Sequence, residues 1–370
     1  MSATARRPLI TPPSVSYEAV LFRPRSSQDH AIKPTARSGV RKSQFITMDS
    51  HPLPSWRSMP AVPGMPHGCA WGLFDRNNVK DEVGTINLLQ PSTIVNASKE
   101  IRTGKSVVLN WPLDRVHEPS FDRPKLHVTV KDWKKEGSPW YCYDDEIKLN
   151  TQSGSQWDGL RHWGHSVTGL YYNGIPHESV LDTSHLGVEH WSKRGGIVGR
   201  GVLLDYVAFA TRHNIEYDPV TRHCITLPDI LKMAEEQSMT FQRGDILIFR
   251  TGWVKWYEEH KEEERRSKIK NGNDHVGIEG NEEMFTWLWD NHFAALASDT
   301  VGVEAWPPSF PWCLHDYAIS MWGMPLGELW DLEALATACE EENRWTFFFT
   351  SAPLNNPGGI ASPPNAVAVF

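Results

Sequence analysis

Several features that assign proteins to common classes are missing from this chain of 370 residues. It contains no run of eighteen or more apolar residues, which argues against a membrane-spanning helix. Its five cysteines are scattered and show no CxxC spacing, which argues against a disulfide framework and against a thiolate zinc site. The chain also lacks GxGxxG after a predicted strand, GxxxxGK(S/T), GxSxG and HExxH, so nucleotide-binding, serine-hydrolase and zincin functions have no support.

The distribution of charge separates residues 1–50 from the rest of the chain. This segment contains eight basic and three acidic residues, a net charge of +5, and it is rich in Ser and Pro with no hydrophobic period. We interpret it as a disordered basic tail, although a mitochondrial transit peptide has a similar composition. The other residues carry a net charge of −13, which makes nucleic acid an unfavourable partner. We expect a cytoplasmic protein with reduced cysteines, with the mitochondrion as the alternative.

From about residue 60 the pattern predicts mixed α and β structure in one domain that extends to residue 370. Strands are expected where β-branched or aromatic runs end at Gly, Pro or Asp. They are Ser106–Trp111, His127–Val130, Glu146–Asn150, Gly201–Val207, Asp245–Thr251, Ala294–Ser298 and Trp345–Thr350. Helices are expected at Pro228–Gln237, Gly252–Ile269, Glu282–Asn291 and Asp331–Glu341. The charged run within the second of these helices is typical of a solvated face.

The densest polar stretch covers residues 151–165. Its side chains Gln152, Gln156, Asp158 and His162 all have even numbers, so in an extended segment they project to one face. In one interpretation, two carboxamides and a carboxylate converge on an ion or a substrate, with His162 as a proton carrier. In the other, the stretch is a polar loop whose side chains satisfy its own backbone. The spacing alone leaves both open.

This stretch resembles the signature of the cyclase family, which includes bacterial kynurenine formamidase and isatin hydrolase and reads H-x-G-T-H-x-D-x-P-x-H. Gln152 stands at the first His of the signature, Gln156 at the second, Asp158 at the Asp and His162 at the last His. Leu160 replaces the Pro. The chain therefore keeps the carboxylate and the final imidazole of the signature and has carboxamides at its first two imidazole positions.

Further blocks in the same order extend the resemblance over about residues 65–355. Gly244–Trp253 resembles the strand that leads to an R-T-G turn in the family, and Ser298–Glu304 resembles the block that follows it. His315 and the later stretch Gly327–Leu332 are similar to a distal His…E-x-L-x-x-L pattern. The residues at 158–162 and near the end of the chain look most like those of the fungal branch.

The resemblance implies an α/β fold, a swivelling β/β/α single domain of the cyclase/arylformamidase-like family, usually dimeric or tetrameric. It also implies one or two divalent metal ions, Zn or Mn. In formamidases the metal activates water to attack an amide carbonyl, and the residue that matches His162 would move the proton. The metal ligands carried over to this chain are Gln152, Gln156, Asp158, His315 and Glu328.

The two carboxamides affect which cation would bind. Zinc favours imidazole nitrogen and rarely uses a neutral amide oxygen, whereas Gln oxygens with two carboxylates and one His suit a harder cation, Mn or Mg. Three outcomes follow: a hydrolase with an altered metal, a metal-free enzyme that uses His162 with Asp158, or an inert scaffold. The first is favoured, and the third least, because Asp158, His162, His315 and Glu328 remain.

We therefore expect a hydrolase that acts on an amide, cyclic amide or lactone of a small, aromatic metabolite, as arylformamidases do, in the kynurenine pathway or in secondary metabolism. In this interpretation Asp158 and His162 are catalytic, and metal-activated water attacks while His162 acts as the proton shuttle. The alternatives are a metal-independent cyclase or dehydratase of secondary metabolism and a catalytically inert small-molecule-binding homologue. Tryptophans beside the signature, Trp157 and Trp163, either pack in the core or form a stacking wall for an aromatic substrate.

Overall fold

The computed structural model describes residues 52–182, 184–270 and 274–370. The basic tail expected over residues 1–50 lies outside the described residues, so its disorder stays a prediction. Within the described ranges, no helix has both the length and the apolar character that crossing a bilayer requires.

The described chain forms a mixed α/β domain built on one large sheet. The strands are β1 Ser106–Val108, β2 His127–Asp132, β3 Tyr143–Lys148, β4 Gln156–Asp158, β5 Leu170–Tyr171, β6 Ile175–Pro176, β7 Ile197–Asp205, β8 Cys224–Ile225, β9 Ile246–Arg250, β10 Gly277–Ile278, β11 Ala295–Ser298, β12 Leu326–Glu328, β13 Thr346–Ser351, β14 Ala361–Ser362 and β15 Ala366–Val369. The α-helices are α1 Pro91–Ala97, α2 His177–Val180, α3 Glu189–Lys193, α4 Tyr206–His213, α5 Leu227–Glu236, α6 Trp253–Glu259, α7 Glu262–Lys270, α8 Glu282–Asp290 and α9 Glu333–Glu342. Short 3₁₀ turns lie at Trp56–Ser58, Gly84–Leu88, Ser98–Glu100 and Tyr172–Gly174, and a π-helix spans Asp316–Trp322.

Nine strands form the main sheet, in the order β1-β15-β13-β7-β9-β11-β12-β4-β14. The four strands β7, β9, β11 and β12 run parallel to one another, and the flanking strands pair antiparallel. Strand β9 reads Ile-Leu-Ile-Phe-Arg and all five residues are buried, as expected for a parallel strand that is covered on both faces. The fold is therefore a mixed α/β domain with a large mixed sheet, as the resemblance implied.

Two short neighbouring strands, β4 and β12, bring separate parts of the chain together. Their register places Gln156 opposite Glu328 and Asp158 opposite Leu326. Close packing holds them in place, because a Cβ added at Gly327 would lie 2.6 Å from the Cβ of Ala297 on β11. These two strands therefore set the positions of three polar side chains, Gln156, Asp158 and Glu328, although Gln156 and Glu328 are 172 residues apart in the chain.

The core around these strands is rich in tryptophan. Trp157 of β4 is fully buried, and its ring meets the edge of Trp330 at a centroid distance of 4.8 Å. Trp157 is therefore a core residue, and the alternative in which it forms a substrate wall is wrong. The π-helix that follows His315 is also buried along its whole length. His315 itself is buried and lies beside Glu328, the last residue of β12.

The predicted strands all occur, with ends shifted by a few residues, and three of the four predicted helices occur as single helices. The helix predicted over Gly252–Ile269 is wrong as one element, because α6 ends at Glu259 and α7 begins at Glu262. His260 breaks it: its backbone is extended at φ −107° and ψ 154°, and its ring stacks on Trp256 at 4.3 Å. The charged face of α7 is exposed, as predicted.

A buried carboxylate, Asp299, holds the turn between β9 and α6. It is fully buried and accepts hydrogen bonds from Thr251 N at 2.6 Å, Thr251 Oγ1 at 2.7 Å and Gly252 N at 2.8 Å. Gly252 has φ +90°, a conformation that side-chain-bearing residues rarely adopt. Burial raises the pKa of Asp299 to about 6, and the three hydrogen bonds oppose that rise.

We expect Asp299→Ala to lower the free energy of unfolding by about 3 kcal/mol, because three buried donors lose their acceptor at once. The exposed Asp114 provides the control, and Asp114→Ala should stay within about 0.5 kcal/mol of the wild type. Urea unfolding followed by tryptophan fluorescence measures both. A loss below about 1 kcal/mol for Asp299→Ala would show that Asp299 does not hold this turn.

Candidate active site

The structure brings all six predicted site residues into one buried cluster. Gln156 and Asp158 lie on β4, Glu328 ends β12 and His315 precedes the π-helix. The remaining two, Gln152 and His162, lie in the turns before and after β4. Only the pair on β4 shares a strand face, so the expectation of one extended segment applies to that pair, and turns bring the other two to the same place.

The amide of Gln152 links the two groups expected to act in catalysis. Its Nε2 lies 2.7 Å from Asp158 Oδ1 and 2.8 Å from His162 Nδ1. Because a carboxylate oxygen only accepts, the NH₂ group must face Asp158, and its second hydrogen then points to His162 Nδ1. His162 is therefore neutral in this arrangement, with its own proton on Nε2, which lies 3.6 Å from Asp158 Oδ2.

Burial also favours the neutral form of His162. It lowers the pKa of this imidazole, against the opposing effect of the Asp158 charge, and the charges of His315 and Arg123 lower the pKa further. His162 is therefore already neutral near neutral pH and does not have to lose a proton before it can act as a base. Gaining a second proton at Nδ1 requires the Gln152 amide to turn away.

Gln156 makes a similar contact with Glu328. Its Nε2 donates to Glu328 Oε2 at 2.5 Å. Both glutamines thus present an amide nitrogen to a carboxylate, and in this arrangement they act as hydrogen-bond donors to the predicted ligand carboxylates. The Gln156 oxygen, Oε1, points elsewhere and is buried without a hydrogen-bond partner.

Among the described residues, three buried oxygens of the cluster accept no hydrogen bond of good geometry, although His315 Nε2 lies 3.3 Å from one of them, Glu328 Oε1. They are Gln156 Oε1, Asp158 Oδ2 and Glu328 Oε1. Since buried acceptors without a partner cost free energy, such a set indicates a cation or water that compensates them. Asp158, His162 and His315 offer ligand atoms that all lie within 4.8 Å of one another, and Glu328 adds a second charged oxygen 3.3 Å from His315 Nε2. With its two carboxylates and the Gln156 oxygen, this set of donors fits a divalent cation that accepts oxygen ligands.

His315 lies between two glutamates. Its Nδ1 is 2.7 Å from Glu304 Oε1, and its Nε2 is 3.3 Å from Glu328 Oε1. Burial acts to lower the pKa of His315, but the close contacts and charges of Glu304 and Glu328 outweigh it and raise this pKa well above its ordinary value. Burial and the charge of Asp158 raise the pKa of Glu328 to about 7, against the opposing effects of His315 and Arg123.

Glu304 is a site residue to which the sequence analysis assigned no role. It accepts from Leu314 N at 2.7 Å and from His315 N at 3.1 Å, in addition to His315 Nδ1. This carboxylate orients the imidazole so that Nε2 faces Glu328, as carboxylates commonly orient metal-binding histidines. A Glu eleven residues before a His forms no recognisable motif, so no signal in the sequence marks this contact.

Cys313 lies close to the same glutamate. Its thiol, one oxygen of Glu304 and one nitrogen of His315 all lie within 4.8 Å of one another, a spacing that could hold an ion. Burial, with the charges of Glu304 and Asp316, raises the pKa of Cys313 far above its ordinary value. The thiol stays protonated and Glu304 is already hydrogen-bonded, so these residues suit a cation less well than Asp158, His315 and Glu328.

Trp163 covers one side of His315. The two rings lie 5.0 Å apart, and Trp163 Nε1 donates to Asp316 Oδ1 at 2.8 Å. Trp163 therefore lies beside the site and is only partly buried, which favours the wall alternative for this tryptophan.

The comparisons with known proteins show the family of this chain. A family model described as "Putative cyclase" matches residues 85–305. The chain belongs to the cyclase family. The match contains the whole signature and Glu304, and it ends before His315 and Glu328. No functionally curated protein matches the chain.

Solved structures of the family share the fold. A crystal structure of a novel cyclase is similar at 29% identity with a TM-score of 0.71, over 82% of this chain and 99% of its own. Isatin hydrolase A from Labrenzia aggregata, bound to benzyl benzoate, has 18% identity and a TM-score of 0.50, over 74% and 94% of the two chains. An isatin hydrolase bound to the product analogue thioisatinate has 15% identity and a TM-score of 0.52, over 75% and 95%.

We expect Mn²⁺ to raise the thermal unfolding midpoint of this protein, because an ion that binds only the folded state stabilises it by about 2.7 kcal/mol at a hundred times its dissociation constant. In Asp158→Asn the shift should disappear, since one charged oxygen is lost, while Asp114→Asn should keep it. Differential scanning fluorimetry with MnCl₂, ZnCl₂ and MgCl₂ measures the shift. If none of the three ions stabilises the wild type, the cluster does not bind a divalent cation.

Proposed function

We propose that this protein is a metal-assisted hydrolase of an amide, cyclic amide or lactone in a small aromatic molecule. The observation that supports it is a set of buried oxygens that accept no hydrogen bond from the described residues and that lie beside a neutral imidazole. Membership of the cyclase family, whose solved relatives include isatin hydrolases, agrees with this activity.

Asp158, Glu328 and His315 would hold the divalent ion, with the Gln156 oxygen as a further neutral donor. An ion bound there would polarise the carbonyl of the substrate and favour ionisation of water. Oxygen donors outnumber the single imidazole, which favours Mn or Mg over Zn.

His162 moves the proton in this proposal. Its Nε2–H lies on the side of Asp158 Oδ2, at 3.6 Å. Once the Gln152 amide turns away, Nδ1 accepts the proton that the attacking water loses, and the imidazolium then gives one proton to the leaving nitrogen or oxygen, which restores the neutral ring. Gln152 thus controls the protonation state of His162.

A metal-independent cyclase or dehydratase is the second candidate. It is favoured by the two glutamine amides, because their nitrogens satisfy Asp158 Oδ1 and Glu328 Oε2 without any ion. Elemental analysis of purified protein separates the candidates: about one equivalent of Mn, Zn or Mg supports the hydrolase, and activity that survives a chelator supports the second. Dimeric or tetrameric assembly, cytoplasmic location, a fungal origin and a place in kynurenine or secondary metabolism stay predictions from the resemblance and the composition.

Turnover of N-formylkynurenine and related aryl formamides, cyclic amides and lactones tests the proposal. We expect His162→Ala and Asp158→Ala to lower kcat/KM by about 100-fold or more, because each removes a proton carrier or its partner. His127 is an exposed histidine on β2, and His127→Ala should stay within about threefold of the wild type.

An active Asp158→Ala variant would contradict the proposed site. An NMR titration of the His162 ring protons provides a further check: because burial lowers the pKa of His162, the ring should stay neutral below the ordinary histidine pKa of about 6.5. A His162 pKa at or above that value would exclude the neutral form as the resting state. The activity profile alone does not separate the two groups, because the pKa of Glu328 is raised to about 7.

A further inference from the structure

A cavity of about 390 Å³ adjoins the candidate active site through one of its lining residues, Arg123, which contacts Gln152. This volume lies within the range of small-ligand pockets, roughly 300 to 1,000 Å³. One loop supplies almost all of its wall, and no motif of the sequence analysis includes that loop. The lining residues are Glu118 to Lys125 and Ile269.

Arg123 connects this cavity to the site. It is half-buried, and its Nη1 donates to the backbone carbonyl of Gln152 at 2.7 Å. The side chain of the same Gln152 forms hydrogen bonds with His162 and Asp158. Gln152 is therefore the one residue that links the guanidinium of Arg123 to the proposed proton carrier. Within the described residues, the other guanidinium nitrogens of Arg123 have no hydrogen-bond acceptor.

Aromatic rings continue from Arg123 to the proposed metal-binding histidine. The guanidinium carbon lies 5.1 Å from the centre of the Phe121 ring, and Phe121 meets the edge of Trp306 at 6.3 Å. Trp306 in turn lies 6.4 Å from His315. The path along these rings therefore begins at a guanidinium and ends at the imidazole of His315.

Acidic residues of the cavity wall do not neutralise Arg123 by direct contact. Glu118 is paired with Arg266 at 2.8 Å. Asp122 is exposed and makes no ion pair with Arg123 within the described residues, and Lys125 adds a second cation to the wall. The wall therefore offers an anion a guanidinium with free donors, which suits the two oxygens of a carboxylate.

We infer that Arg123 binds the carboxylate of an aromatic carboxylic acid, whose amide or lactone bond then lies against His162 and His315. The inference deepens the proposed function and rests on it for the reaction, but not for the binding. It narrows the substrate class from neutral aromatic amides and lactones to those that carry an acid group on or near the ring.

Binding of benzoate and of its neutral isostere benzamide tests the inference by isothermal titration calorimetry on the protein as purified. We expect the wild type to bind benzoate about tenfold or more tightly than benzamide, since a charge-assisted pair of hydrogen bonds is strong when partly buried. In Arg123→Gln the preference should fall to about one. Lys148→Gln, which removes an exposed cation on β3, should keep it.

A preference for benzoate that survives in Arg123→Gln would overturn the inference, because the carboxylate would then be held by another group. The absence of any preference in the wild type would overturn it too. Thermal unfolding midpoints of both variants check that the fold is retained. We expect little change, because Arg123 lies at the surface of the cavity.

Turnover separates this inference from the proposed function. We expect kcat/KM for 2-formamidobenzoate to be at least about tenfold above that for formanilide. In Arg123→Gln this preference should disappear because KM for 2-formamidobenzoate rises. Hydrolysis of both substrates at equal rates in wild type and variant overturns the inference and leaves the proposed function intact. If benzoate binding depends on Arg123 but no amide or lactone is hydrolysed, the inference about carboxylate binding stands and the proposed function is wrong.

Discussion

The burial of three carboxylates around one imidazole is the constraint on which the site depends. Asp158, Glu304 and Glu328 are each at most 2% exposed, and all lie near His315. Charges taken out of water must be paired or hydrogen-bonded, or they shift the protonation equilibrium of the group. Glu304 is compensated by backbone N–H groups and by the imidazole, whereas Asp158 and Glu328 each have one oxygen that is left without a hydrogen bond.

The two glutamines change how that constraint is met. An imidazole at Gln152 or Gln156 would offer a nitrogen to a cation, whereas an amide can either donate to a carboxylate or accept from a donor. In the structure both amides donate, so one oxygen of Asp158 and one of Glu328 are compensated without an ion. The second oxygen of each carboxylate accepts no hydrogen bond from the described residues. The metal-assisted and metal-independent functions differ in what compensates these last oxygens.

Much of the fold was predictable because local patterns agree with the tertiary structure. The parallel strands β7, β9 and β11 are apolar runs bounded by Gly or Asp, and such runs read as buried strands in any context. The short strands β4, β12 and β14 were not predicted, because segments of two or three residues have too few positions to show a period of their own. They exist only because their neighbours in the sheet supply the hydrogen bonds.

For the site, the sequence by itself determined which chemical groups are present: the carboxylate and imidazole of the signature, the two carboxamides, and the distal His315. Only the tertiary structure decided what these groups do to one another. Which atom of Gln152 faces Asp158, and that Glu304 and Arg123 belong beside the site, depends on strand register and on loops that are distant in the chain. Hydrogen-bond direction and burial arise from that packing, and no spacing of residues along the chain encodes them.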